Sequence, residues 1–395
     1  MLTSKKRTII NIENLILFAA SLNFLMQGSL LFVVFIFIWI IRNFNTPLLF
    51  NAQMLIVICL FTGMIISILL FGQGKQSLFE TIKACIYIGV YFCGYNTVYN
   101  ETLQEKYIEK IIFVFYFSSL LYLILIFLYN LSLGFQGGRV LYNIWTRQPV
   151  SVTLIGAVSS LIIAVSIYIC FAKKLIYKVL SIIAWGFVLY LNGETATRTP
   201  WILSFVSLMV ALIIFILKKR KYLFGVLSFF VIGGIIGSIL LLYNLNENFY
   251  NFLNSIPVVN RILESGLSTS RVEETLNYIS GMFNFLWGGN VASKQLGTIL
   301  PHDIWLEMYD TFGFLASISL IIITVDMVIK AIELMKNKYS FKFSFMIIIF
   351  YFTLILQCAL EPLVSGFPVI IWQLLFLHGL ICRYIREKNE DSILQ

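Results

Sequence analysis

Residues 48–71 read LLFNAQMLIVICLFTGMIISILLF, an apolar run without one charged side chain. About 20 such residues, rising 1.5 Å each as a helix, cross the roughly 30 Å hydrocarbon core of a bilayer. A helix suits that medium because its backbone groups are bonded within the segment. Working outward from this run, comparable stretches between charged or Pro/Gly breaks give twelve expected spans. They fall at 12–26, 28–41, 48–71, 79–99, 110–132, 150–171, 176–192, 201–217, 222–243, 304–329, 343–360 and 367–382. The 395 residues are 59% hydrophobic and only 12% charged, with a mean hydropathy of +0.91. A soluble domain carries roughly 25% charged residues, so this composition excludes a soluble enzyme, a nucleic-acid binder and a disordered chain. The expectation is an all-α polytopic membrane protein, with residues 1–395 forming one integral membrane domain.

Charge sets the orientation. With twelve spans and both termini inside, the cytoplasmic segments hold 20 Lys and Arg residues and the opposite side 7, a positive-inside distribution. The first two runs are separated only by Gln27, Gly28 and Ser29. Reading them as a hairpin keeps Lys5, Lys6 and Arg7 on the same side as Arg42. A cleaved amino-terminal signal peptide would break this parity and is rejected. One segment departs from the short-loop pattern: residues 244–301 form a large external loop between the ninth and tenth spans. Long structured loops tend to carry function, so chemistry is expected on the outer face.

The sequence has no phosphate-binding P-loop and no HExxH. It has only two histidines, His302 and His378. The six cysteines lie in apolar runs with no CxxC pair, and read as small packing residues, not metal ligands. No cofactor is expected. What stands out is a set of external arginines. Pro200 suits a first helical position and Thr199 the cap before it, so Arg198 stands at the mouth of the eighth span. Ser270 and Glu273 have capping-box spacing, which puts Arg271 in the first turn of a helix. Val272, Leu276, Ile279, Phe283 and Leu286 give that helix an apolar stripe, so 271–286 is expected to lie on the membrane surface. A helix amino terminus and a guanidinium on one side of the membrane both favour an anion, phosphate above all. Against this, a lone external arginine is often just solvated or bound to lipid headgroups. Arg139 after Gly137-Gly138 and Arg147 before Gln148-Pro149 repeat the arrangement at the sixth span, and Arg261 ranks behind them.

His302 opens the tenth span. Asp303, Glu307 and Asp310 share one helical face below it, which makes that face acidic near the outer surface. His302 can bond phosphate or act in acid–base chemistry, or simply bond a loop carbonyl. Glu194, on the loop of Arg198, is a second candidate base and Glu361 a third. Asp326 and Lys330, four apart, read as an ordinary ion pair, and His378 as a packing residue. Gly233, Gly234 and Gly237 would allow close helix packing.

Three stretches together resemble the O-antigen ligase and Wzy-like polymerase superfamily. They are Gly193 to Trp201 with Arg198, Ser270-Arg271 through Trp287-Gly288-Gly289, and Pro301-His302-Asp303-Ile304-Trp305-Leu306 followed by Gly313. Asp303 stands where the superfamily usually has asparagine, and the second stretch lacks the proline common before its glycines. The resemblance implies a metal-independent glycosyltransferase on the outer face of a bacterial plasma membrane. It would polymerise O-antigen, capsule or exopolysaccharide repeat units carried on undecaprenyl pyrophosphate, with a partner protein setting chain length. Arg198 and Arg271 would be catalytic with His302 and Glu194, either of which could be the base. Arg139, Arg147, Asp303 and Glu307 would bind substrate. Two rival readings remain: a ligase that moves finished glycan to a final acceptor, and a twelve-span transporter or lipid-linked glycan flippase. The latter class usually shows repeat symmetry and a midplane site.

Overall fold

The computed structural model describes residues 14–22, 29–43, 48–72, 74–97, 104–219, 251, 254–265, 270–297, 302–336, 339–364 and 366–394. The ninth expected span at 222–243, with its three glycines, lies outside the described residues, as do both ends of the first; residues 14–21 of that first span are helical. Among the described residues the chain is mostly helical, a polytopic membrane protein. Among the described residues nine helices are long and apolar enough to cross a bilayer.

The described residues form two compact units, Met1–Tyr122 with Ser270–Gln395, and Leu123–Thr269. The helices in chain order are α1 (Ser29–Arg42), α2 (Ala52–Phe71), α3 (Gly74–Asn96), α4 (Gln104–Ser132), α5 (Val152–Ala172), α6 (Leu175–Glu194) and α7 (Thr199–Lys219). Then come α8 (Pro257–Ser265), α9 (Ser270–Met282), α10 (Val291–Leu296), α11 (Ile304–Phe312), α12 (Phe314–Leu334), α13 (Phe341–Leu360) and α14 (Val369–Leu394). A two-residue hairpin, β1 (Leu141–Tyr142) with β2 (Pro149–Val150), precedes α5.

In the first unit α14 is the buried centre, packed along α3. The two helices meet at glycines: a Cβ on Gly379 would lie 2.5 Å from the Tyr91 carbonyl oxygen, and one on Gly94 would strike the Phe376 carbonyl. Trp372 fills the adjoining space, edge-on to Phe32 and Tyr87. In the second unit α5 is the buried centre, flanked by α6 and α7. Asn192 donates to Ser159 Oγ at 2.8 Å, and the Trp185 indole to Ser204 Oγ at 2.9 Å. Such side-chain bonds between helices join what apolar contact alone holds weakly in lipid.

Two expectations are corrected. The tenth span is not one helix from 304: the chain breaks at Gly313, with φ 87° and ψ 179°, a region open essentially to glycine alone. The crossing helix is α12. The short α11 folds back beside it, because Ser317 Oγ donates to the Trp305 carbonyl at 2.8 Å and the Trp305 indole to Thr324 Oγ1 at 3.1 Å. The surface helix expected over 271–286 ends at Met282, since the following backbone is drawn into bonds with α11 and α12. Gly289 donates to the Thr311 carbonyl (3.0 Å), Asn290 to Asp310 (2.8 Å), and Phe314 to Leu286 (2.8 Å). Gly288, also at positive φ, faces Gly313 so closely that a Cβ on it would lie 2.6 Å from the Gly313 nitrogen.

Candidate functional site

Two loops and a short helix of the second unit are tied together around the end of α6. Asn192 to Thr199 reverse the chain within a few residues: Ala196 takes a left-handed φ of 52°, and Thr197 N–H donates to the Asn192 carbonyl at 2.9 Å. The Arg198 carbonyl accepts from the amides of Trp201 (3.1 Å) and Ile202 (3.3 Å). Arg198 itself is therefore the capping residue of α7, one position earlier than expected, and its side chain is half-buried. Glu194 receives the second loop: its carbonyl accepts from Gly138 N–H at 2.9 Å. Its carboxylate closes on Gly137, where a Cβ would lie 2.9 Å from Oε2. The third element is α8, whose Arg261 donates from Nη1 to the Ala196 carbonyl at 2.9 Å. Spacing ranked Arg261 behind the others, because its reach to residue 196 is a tertiary contact.

Arg139 and Arg147 are exposed and flank the β1–β2 hairpin. Arg147 does not stand at a helix mouth. It sits in the hairpin loop at φ 56°, while α5 is capped by Ser151, which accepts from Thr153 N–H at 3.2 Å. Asn130 pins the hairpin by bonding both the carbonyl (2.9 Å) and the amide (2.8 Å) of Tyr142. The segments tied together here carry Arg139, Arg198 and Arg261 as well as the Glu194 carboxylate, with Arg147 in the adjoining hairpin.

The other expected site residues, Arg271, His302, Asp303 and Glu307, belong to the first unit. Arg271 lies in the first turn of α9, and its side chain lies outside the described residues, as do those of Ser270, Val272 and Glu273. Leu276, Ile279, Phe283 and Leu286 are exposed, whereas Tyr278 turns inward and packs with Ala292 and Tyr309. These four of the five expected stripe residues face outward, as an interfacial segment should.

The acidic face of α11 is not presented to solvent. Asp303 caps the helix, accepting from Trp305 N–H (3.1 Å) and Leu306 N–H (2.8 Å). Burial raises its carboxyl above the ordinary range, against the lowering effect of those two amides. Glu307 is fully buried and accepts from Val364 N–H at 2.7 Å. Asp310, also buried, accepts from Ser293 N–H (3.0 Å) and the Tyr278 hydroxyl (3.3 Å). Burial, and then the Asp310 carboxylate, pushes the Tyr278 phenol upward. These acids hold α11, α10 and the 361–368 connection together. His302 is half-buried at the start of α11.

A further cluster in the first unit escaped the sequence reading. Asp326 pairs not with Lys330 but with His378: Nε2 lies 3.0 Å from Oδ2, while Lys330 pairs with Glu333 at 3.2 Å. His378 Nδ1 meets the Tyr351 hydroxyl at 3.0 Å, so the ring is satisfied at both nitrogens. Cys382, one helical turn on, lies 3.7 Å from Asp326 Oδ2 and 3.6 Å from His378 Nε2. The available signal was an ionisable residue inside each of two apolar spans, a rare and costly placement. No model of a known protein family matches the chain, and no curated protein matches it.

Proposed function

We propose that the chain is a glycosyltransferase that polymerises lipid-linked repeat units on the outer face of a bacterial plasma membrane, with both termini in the cytoplasm. The observation that carries this reading is the joining of the Gly137–Gly138 loop and α8 to the α6–α7 turn at Glu194 and Ala196, which brings the segments that carry Arg139, Arg198 and Arg261 together at the amino terminus of α7. Fixed cations and helix amides suit a pyrophosphate. In the reaction, the bond from the sugar's anomeric carbon to the phosphate oxygen breaks, and a bond to the acceptor hydroxyl oxygen forms. The electron pair leaves on undecaprenyl pyrophosphate, whose growing charge an external arginine would stabilise, Arg198 in the second unit or Arg271 in the first. The hydroxyl proton passes to a base, His302 or Glu194. One such donor is worth about 3 kcal/mol, roughly a hundredfold in rate. The resemblance of the three motifs, and the contact between Gly288 of the second and Gly313 of the third, also support the reading.

The test is a gel of lipid-linked and surface glycans from cells lacking the protein. Loss of the ladder with single repeat units left on the lipid is the expected result. A ladder that persists on the lipid but never reaches its acceptor would assign a ligase instead. The intramembrane Asp326–His378 pair favours a second reading, a transporter or flippase. In that case Asp326→Asn would abolish transport of the lipid-linked unit, while Arg198→Ala would spare it.

A further inference from the structure

From the cluster on α12 and α14 we infer that Asp326, His378 and Cys382 form a zinc-type cation site within the membrane-spanning part of the first unit. It shares no residue with the arginine-bearing loops and is independent of the transferase reading. His378 and Cys382 stand four residues apart on one face of α14. Asp326 reaches them from α12, more than two turns before that helix ends. Their ligating atoms form a triangle with sides of 3.0 Å (Nε2–Oδ2), 3.6 Å (Nε2–Sγ) and 3.7 Å (Oδ2–Sγ). A tetrahedral zinc ion bonded at about 2.0 Å to N and O and about 2.3 Å to S would set those edges at about 3.3, 3.5 and 3.5 Å. The triangle already has nearly the shape of one tetrahedral face, with its longer sides at sulfur, where they belong.

The outer contacts fit as well. A ligating imidazole is oriented by a partner on its other nitrogen, and Tyr351 holds Nδ1 at 3.0 Å. The second oxygen of Asp326 is met by the Gln53 amide at 3.4 Å. Charge selects the ion. A divalent cation with one carboxylate and one thiolate is neutral, which avoids the cost of a net charge in a low-dielectric interior. The neighbouring Lys330–Glu333 pair is itself neutral, so it leaves that balance intact. A soft thiolate beside an imidazole suits zinc better than magnesium or calcium. Binding expels the proton of the Cys382 thiol, which ligates as thiolate. The ligating imidazole is neutral, carrying its hydrogen on Nδ1 toward Tyr351 while Nε2 faces the ion. The ion would tie α12 to α14 at mid-depth, where apolar packing against lipid gives little preference for one register.

The test uses the full-length protein purified in detergent, stripped with a chelator and reloaded with Zn²⁺ or Co²⁺. The expected result is about one ion per chain, a thiolate-to-cobalt charge-transfer band, and a chelator-induced fall in thermal stability. Cys382→Ser should lose the band, and with it the effect of the chelator, while its Asp326–His378 bond keeps the fold. His378→Gln should lose retained metal. Failure to retain metal, a cobalt spectrum without the thiolate band, or an unchanged spectrum in Cys382→Ser would each overturn the site and leave a hydrogen-bonded Asp–His pair.

Discussion

Replacing Gly313 by alanine perturbs the point where α11 turns back from α12. At φ 87° and ψ 179°, a side chain occupies a conformation that costs on the order of 1–3 kcal/mol. The new methyl would also lie 2.6 Å from the Leu286 carbonyl oxygen and 2.8 Å from the Trp287 carbonyl carbon. Both are backbone atoms, and Phe314 N–H is bonded to that same carbonyl, so relief requires the 286–290 turn to move. Conformation and displacement together should cost about 3 kcal/mol or more. Gly297→Ala is the matched control. It takes φ 63° and ψ 23° with nothing within 4 Å of the added carbon, so only a left-handed backbone cost of about 1–2 kcal/mol applies. The assay is the midpoint of thermal unfolding in detergent, with limited proteolysis of the 283–300 stretch beside it. Gly313→Ala should melt clearly below Gly297→Ala and expose that stretch to protease. Equal midpoints for the two variants would refute the account of the helix break.

Arg198→Ala and Arg271→Ala should each reduce polymer about a hundredfold with the protein at its normal membrane level; full polymer in both variants would remove the anion-site proposal. Glu307→Ala leaves the buried Val364 N–H without its acceptor and should lower stability by about 1–3 kcal/mol, whereas Glu307→Gln retains an oxygen there and should lose far less in the same melt. The carboxyl of Asp303 is raised on folding, so it favours the fold most at acid pH. That contribution fades as pH climbs from the unfolded carboxyl value of about 3.9 through the raised one. Asp303→Asn keeps a capping oxygen and should flatten this part of the stability–pH curve, and an unchanged curve would contradict the assignment.

The spans were legible because an apolar run of adequate length has one solution in lipid, and runs such as Ala52–Phe71 or Phe341–Leu360 leave little to tertiary context. The break at Gly313 was not, since the flanking Phe312 and Phe314 are as apolar as the rest and the bonds that stabilise the turn come from Leu286 and Gly289. The capping role at the head of α7 was placed within one residue because Pro200 narrows the choice. Arg147 was misplaced because Pro149, taken as the start of a helix, instead begins a strand. The acids of α11 were put on one face, but periodicity does not say what each of them meets. Here Glu307 meets the Val364 amide and Asp310 that of Ser293. Asp326 and His378 lie on helices far apart in the chain, and only packing brings them together.

The bonds across the helix break carry a consequence for how the protein is made. Neither the Phe314 amide nor the Thr311 carbonyl finds its partner inside its own helix: Leu286 supplies the first, and Gly289 together with the Ser67 hydroxyl the second. Lipid offers no substitute for a missing backbone partner. Residues 286–290 leave the ribosome first, so their open groups are in place when the later segment is delivered. Insertion of α12 can therefore reach its final depth only after that turn has docked, which fixes an order of assembly. A chain deleted in 286–290 would hand the insertion machinery a helix with an unsatisfied entrance, and should stall before α13 is added.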